Sequence, residues 1–159
     1  RCHKARQIID MAIGVIVQQP LPQPQHAIQA KIAAQIGSKL ETVGKTIVLE
    51  ESRIDALSTI SGSGPAYVFY LIEQLTLAAK HHGFNDQDAA LLVNETFLGA
   101  SELLAASGKT PEALRKQVTS PNGTTERAIA RMGETDLEAM FVEATDAALA
   151  RARELAAGK

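Results

Sequence analysis

"SGSGPAYVFYLIEQLTLAAKHHGF", residues 61–84, decides how the rest of the chain is read. Val68, Leu71, Ile72 and Leu75 recur at three- and four-residue spacing, which marks one apolar helix face. "SGSGP" at 61–65 breaks the chain before this run; Pro65 suits a first helical position, with Ser63 or Gly64 as N-cap. Gly83 stops it. The stretch predicts a helix from Pro65 to about Lys80, entered by a sharp helix–loop–helix corner.

The same punctuation continues toward the C-terminus. Asn85 with Asp88 predicts the start of a helix over 86–106, carrying Leu92, Thr96, Phe97, Ala100, Leu103 and Leu104. Gly108 closes it, Thr110 caps, and Pro111 opens a short helix over 111–118. After "SPNGTT" at 120–125 a helix is predicted near 125–132, and Thr135 with Glu138 reads as a capping box for a last helix over 136–156.

Toward the N-terminus, "SRIDALSTI" at 52–60 opens with Ser52 and Asp55, a capping-box pattern, and predicts a short helix. "TIVLE" at 46–50 reads as a short β-branched strand. Ile28, Ile32, Ile36, Leu40 and Val43 mark a helix face from Ala27, with Gly44 where a left-handed C-cap would fall. "PLPQPQ" at 20–25 reads as an extended linker or surface loop, and "MAIGVIV" at 11–17 as a buried strand or a helix segment, which periodicity does not decide. The chain is thus expected to be mostly helical. Alanine is abundant at helix positions and lets helices approach closely, so the helices are expected to pack against a partner chain as well as one another.

The 159 residues suit one compact domain with a real core. Hydrophobic residues make up 45% and aromatics 4%, so that core must be aliphatic. The net charge of −2, without a Lys/Arg run, lacks the electrostatic footprint of a nucleic-acid binder. No uninterrupted apolar run long enough to cross a bilayer stands out, and the single Cys excludes an internal disulfide. A cytoplasmic protein is expected, with no nucleic-acid or membrane partner. The opening at Arg1 reads as a truncated or processed product.

Several stretches invite a chemical reading. In "SGSGP" two glycines flank a serine, a pattern able to cradle a phosphate, but Tyr67 stands at the third glycine position of a dinucleotide fingerprint and Pro65 lacks an N–H. His81–His82 and Cys2–His3 lack metal-ligand spacing to other donors, so no metal is expected. Glu50, Glu51, Glu126, Glu134 and Asp136 have solvated or capping explanations. "SPNGTT" remains. Ser120 before Pro121 is biased to extended backbone, Asn122–Gly123 is a turn signal, and Thr124 and Thr125 open a helix whose first N–H groups lack intrahelical partners. Such an end attracts a carboxylate or phosphate. On the residues alone, a plain capped turn and an anion seat both stand.

"LSTISGSGPAYVFYLIEQL" at 57–75 and "LRKQVTSPNGTTERAI" at 114–129 together resemble the C-terminal domain of pyrroline-5-carboxylate reductase. "GKTIVLEE" at 44–51 and "NETFLGASELL" at 94–104 fit the same family in order, and the resemblance covers about residues 37–157. It implies a mainly α fold, a helical-bundle dimerisation domain of the 6-phosphogluconate dehydrogenase C-terminal-like type, with a short β remnant near the N-terminus. Residues 1–50 would be the tail of a Rossmann domain and a linker, and 51–159 the helical dimerisation and substrate-binding domain. The implied function is the dimer interface and substrate half-site for NAD(P)H-dependent reduction of 1-pyrroline-5-carboxylate to proline. A non-catalytic homodimerisation module derived from that family is the alternative.

Carried over by motif, Ser120, Thr124 and Thr125 are the implied substrate-binding residues; the Thr125 hydroxyl is the candidate catalytic group, and Gly123 is a further candidate substrate contact. The Gly123 contribution is expected through its backbone N–H. The family's "SPGGTT" is "SPNGTT" here, a mild departure because Asn tolerates left-handed backbone. A second departure is His3-Lys4-Ala5-Arg6-Gln7, where the family reads Met-Pro-Asn-Thr-Pro. The glycine fingerprint for a dinucleotide is absent, so this chain alone is expected to bind no NAD(P)H and to be inactive by itself.

Overall fold

The structure is a computed structural model that describes residues 13–18 and 45–158. The helix expected from Ala27 to Val43, the Gly44 cap, the "PLPQPQ" linker and the segment 3–7 lie outside the described residues. The chain divides into two units, Arg1–Pro65 with Ala144–Lys159, and Ala66–Glu143.

The first unit holds two strands, β1 (Ile13–Gln18) and β2 (Lys45–Glu50), paired in parallel with Ile13 opposite Lys45 and Gln18 opposite Glu50. Of "MAIGVIV", residues 13–17 therefore lie in a strand. Its register comes from a partner far along the chain, and a parallel pair needs a crossover of a dozen or more residues; residues 19–44 lie between the two.

β2 runs into a 3-10 turn, Glu51–Arg53, then α1 (Ile54–Leu57) and a π-helical turn, Ser58–Gly62. The capping box expected from Ser52 and Asp55 does not form: neither turn start has a side-chain cap. The break expected at "SGSGP" is also smaller than read. The π turn carries helical backbone through Gly62, and Ser63 itself stays helical at φ −89°, ψ −18° with its N–H on the Ser58 carbonyl at 2.9 Å. Small residues permit this wide turn. Two of its hydroxyls fold back on carbonyls a turn earlier, Thr59 donating to Ala56 at 2.8 Å and Ser61 to Leu57 at 3.1 Å. Thr59 is buried.

α2 (Gly64–His81) follows, then α3 (Asp86–Ser107), α4 (Pro111–Gln117), α5 (Thr124–Gly133) and α6 (Leu137–Ala156). Their ends follow local chemistry. Gly83 and Gly108 take positive φ, 93° and 64°, as residues after a helix end do when no Cβ opposes it. The Asn85 side chain accepts from Asp88 N–H at 2.9 Å and the Thr110 hydroxyl from Ala113 N–H at 3.2 Å. Lys80 reaches Asp86 at 2.8 Å across the connection, and this hydrogen bond and charge hold the Asp86 carboxyl below the usual carboxylate range.

The cap of α6 differs from the expected one. Asp136, not Thr135, accepts from a first-turn N–H, that of Ala139 at 2.9 Å. An ionised carboxylate is a stronger acceptor than a hydroxyl and also suits the positive helix end. Asp136→Ala is expected to cost about 1 kcal/mol, and Thr135→Ala less than about 0.5 kcal/mol as an ordinary surface change. Thermal melts of the two variants check the assignment.

Within the second unit the buried apolar side chains are Ala89 and Val93 on α3 and Leu114 on α4. Large apolar residues are otherwise left open: Phe69, Tyr70 and Leu77 on α2, Leu91, Leu98 and Leu103 on α3. A helix that is apolar on all sides requires burial on all sides. By length and composition α3 is long and apolar enough to cross a membrane, although polar residues interrupt its apolar run. It also carries Asp86, Asp88, Glu95 and Glu102, charges that hydrocarbon accommodates at high cost.

Candidate active site

The stretch from Ser120 to Thr125 forms a tight turn feeding α5. Gly123 N–H donates to the Ser120 carbonyl at 3.0 Å. Proline at the second position and a φ of 59° at Asn122, the third, are the type II pattern. Asn122 is the one non-glycine residue with positive φ among the described residues, as its tolerance of left-handed backbone allows.

Gly123 is the N-cap of α5, extended at φ −83°, ψ 173°, and contributes no side-chain cap. This backbone is open to any residue; the demand for glycine is one of space. A Cβ here would lie 2.9 Å from the Ser120 carbonyl oxygen, which is main chain and cannot swing aside. Gly123→Ala is expected to open the turn at a cost on the order of 1–3 kcal/mol, while Asn122→Gly, which relieves a positive φ, should be neutral or stabilising. Chemical denaturation of both variants checks this.

The first N–H with an intrahelical acceptor is that of Arg127, on Gly123 at 3.3 Å. The N–H groups of Thr124, Thr125 and Glu126 therefore point out of the helix end with no acceptor among the described residues. Ser120, Thr124 and Thr125 are exposed, and their hydroxyls have no partner among the described residues. Aligned peptide dipoles add partial positive charge at this end. The arrangement can hold a small carboxylate through backbone N–H groups and hydroxyls.

Two features differ from the sequence reading. The N–H of Gly123 is already used within the turn, so its contribution is close packing and the free donors start at Thr124. Glu126, read as a first-turn acid, reaches back so that its Oε2 accepts from Asn122 N–H at 2.9 Å. The signal was available: a Glu at the third helical position is where a reciprocal cap is made.

The described elements thus define a helix-rich domain with long, open apolar helices and an anion-suited turn. The family model described as pyrroline-5-carboxylate reductase dimerisation matches residues 51–155, and the chain belongs to the pyrroline-5-carboxylate reductase family. Among similar proteins, a pyrroline-5-carboxylate reductase of Pseudomonas aeruginosa is 41% identical over 130 residues, 81% of this chain and 48% of the relative. Pyrroline-5-carboxylate reductase 2 of Bacillus subtilis is 39% identical over 116 residues, 73% of this chain and 42% of the relative. The solved pyrroline-5-carboxylate reductase of Coxiella burnetii superposes with a TM-score of 0.75 at 33% identity, covering 91% of this chain and 52% of that one. The chain spans less than half the length of these two curated relatives.

Proposed function

We propose that this chain supplies the homodimer interface and the substrate half-site for NAD(P)H-dependent reduction of 1-pyrroline-5-carboxylate to proline. The observation that carries the reading is the Ser120–Thr125 turn, which leaves three backbone N–H groups and three hydroxyls without a partner among the described residues at the start of α5, in a chain of this family. The substrate carboxylate sits on the N–H groups of Thr124 and Thr125 and on the Ser120 hydroxyl. The Thr125 hydroxyl hydrogen-bonds the ring nitrogen and passes it a proton drawn from water. Fixing the carboxylate orients the imine carbon, so catalysis by these residues is catalysis by positioning.

The described residues do not fit the nicotinamide cofactor. β2 leads straight into Glu51-Ser52-Arg53, with no glycine and no long helix whose N-terminus would face a pyrophosphate. A Plasmodium falciparum relative of the same fold, 22% identical with a TM-score of 0.66, was solved with NADP bound. In our reading the nucleotide-binding half lies outside residues 51–159, residues 1–50 being the tail of that half, consistent with the parallel pairing of β1 and β2. A second copy covers the open faces of α2 and α3, as isologous pairing allows.

The test is a chimera in which the nucleotide-binding half of the Pseudomonas aeruginosa relative precedes residue 51. It is expected to consume NAD(P)H in the presence of 1-pyrroline-5-carboxylate, while this chain alone consumes none. A folded, dimeric chimera without turnover contradicts the reading.

A further inference from the structure

We propose that the Asn122–Gly123 bond is a site of spontaneous succinimide formation, latched by the turn that contains it. The chain has three asparagines, and Asn122 alone precedes a glycine. Asn85 holds its carboxamide on Asp88, donating from Nδ2 at 2.8 Å and accepting at Oδ1 at 2.9 Å. Asn94 sits inside α3, where the backbone is committed to helix. Asn122 is exposed, and its carboxamide has no partner among the described residues. Gly123 has no side chain to shield its own amide nitrogen.

The chemistry needs only water. The Gly123 amide nitrogen gives up its proton to solvent and attacks Cγ of Asn122. A nitrogen–carbon bond forms, and ammonia leaves with that proton, closing a cyclic imide. Water then opens the imide. Cleavage at Cγ gives aspartate; cleavage at the main-chain carbonyl carbon gives an isoaspartyl link, in which the backbone runs through the side chain. One water is consumed, one ammonia is released, and nothing is oxidised or reduced. Asparagine counts among the thermolabile residues for this kind of loss.

The fold controls the rate through two hydrogen bonds. The attacking nitrogen donates to the Ser120 carbonyl at 3.0 Å, and the N–H of Asn122 is held by Glu126 at 2.9 Å. Reaction requires the turn to open, so Glu126 acts as a latch. If the loop is the carboxylate seat proposed above, either product puts a new carboxylate between Ser120 and Thr124, where it opposes an anionic substrate. The modification itself is independent of that reading and is read by mass.

The full chain is incubated folded, and in urea, at mildly alkaline pH, and its peptides are mapped by mass spectrometry with isoaspartate detection. The expected result is conversion at Asn122 ahead of Asn85 and Asn94, faster in urea than in the folded chain. Glu126→Ala is expected to raise the folded rate severalfold. Asn122→Gly, which keeps the turn, should remove the signal. Conversion at Asn122 no faster than at Asn85 and Asn94 overturns the site. Equal rates folded and unfolded, or an unchanged rate in a folded Glu126→Ala chain, overturn the latch.

Discussion

Replacing Leu92 and Leu103 together by Asp is expected to abolish the proposed homodimer and to lower the melting temperature of what remains. The two residues lie on one face of α3, about three turns apart, and are 46% and 45% exposed in the single chain. At an ordinary surface a leucine-to-aspartate change stays within about 0.5 kcal/mol. In a twofold interface each substitution enters twice, and each unpaired carboxylate taken out of water costs several kcal/mol. The effect is thus large only if a second copy covers this face. Light scattering after size exclusion gives the mass directly. A double variant that keeps the mass of two chains and the parent's melting temperature removes α3 from the interface.

The second large effect is on turnover. In the chimera, Thr125→Val keeps the shape of the side chain and deletes its hydroxyl. Losing the proposed hydrogen bond to the ring nitrogen is expected to cost on the order of 1–3 kcal/mol, roughly ten- to a hundredfold in rate. Ser120→Ala should act mainly on KM, because in the proposed seat its hydroxyl would contact the carboxylate in ground state and transition state alike. Steady-state kinetics with 1-pyrroline-5-carboxylate separates the two. If both variants are silent, the turn is a corner and nothing more.

What could be read from the chain was whatever local chemistry determines. Gly83 and Gly108 end helices because αL backbone favours residues without a Cβ, and Asn85 and Thr110 start them because their oxygens reach an orphan N–H. The strand expected at 46–50 from its β-branched run is present as Lys45–Glu50. β1 was ambiguous in sequence because a short apolar run is settled by its pairing partner, and that partner is distant. The π turn at Ser58–Gly62 was missed because glycine and serine signal a break, while a wide turn uses the same small residues. At α6 two neighbouring residues could cap, and the stronger acceptor, Asp136, took the position.

The loop was legible as a turn and ambiguous as a site. Its residues suit both a capped corner and an anion seat, and their spacing does not choose between the two. The structure added two facts that spacing does not encode: the internal use of the Gly123 N–H and the grip of Glu126 on Asn122. Both move the proposed carboxylate contacts one residue along, onto the first turn of α5.

That placement is tested most directly by amide NMR of the chimera titrated with proline, which carries the same carboxylate as the proposed substrate. Saturable shifts centred on the amides of Thr124 and Thr125, lost in Gly123→Ala, are expected. Saturable binding that leaves those two amides unmoved would contradict that placement.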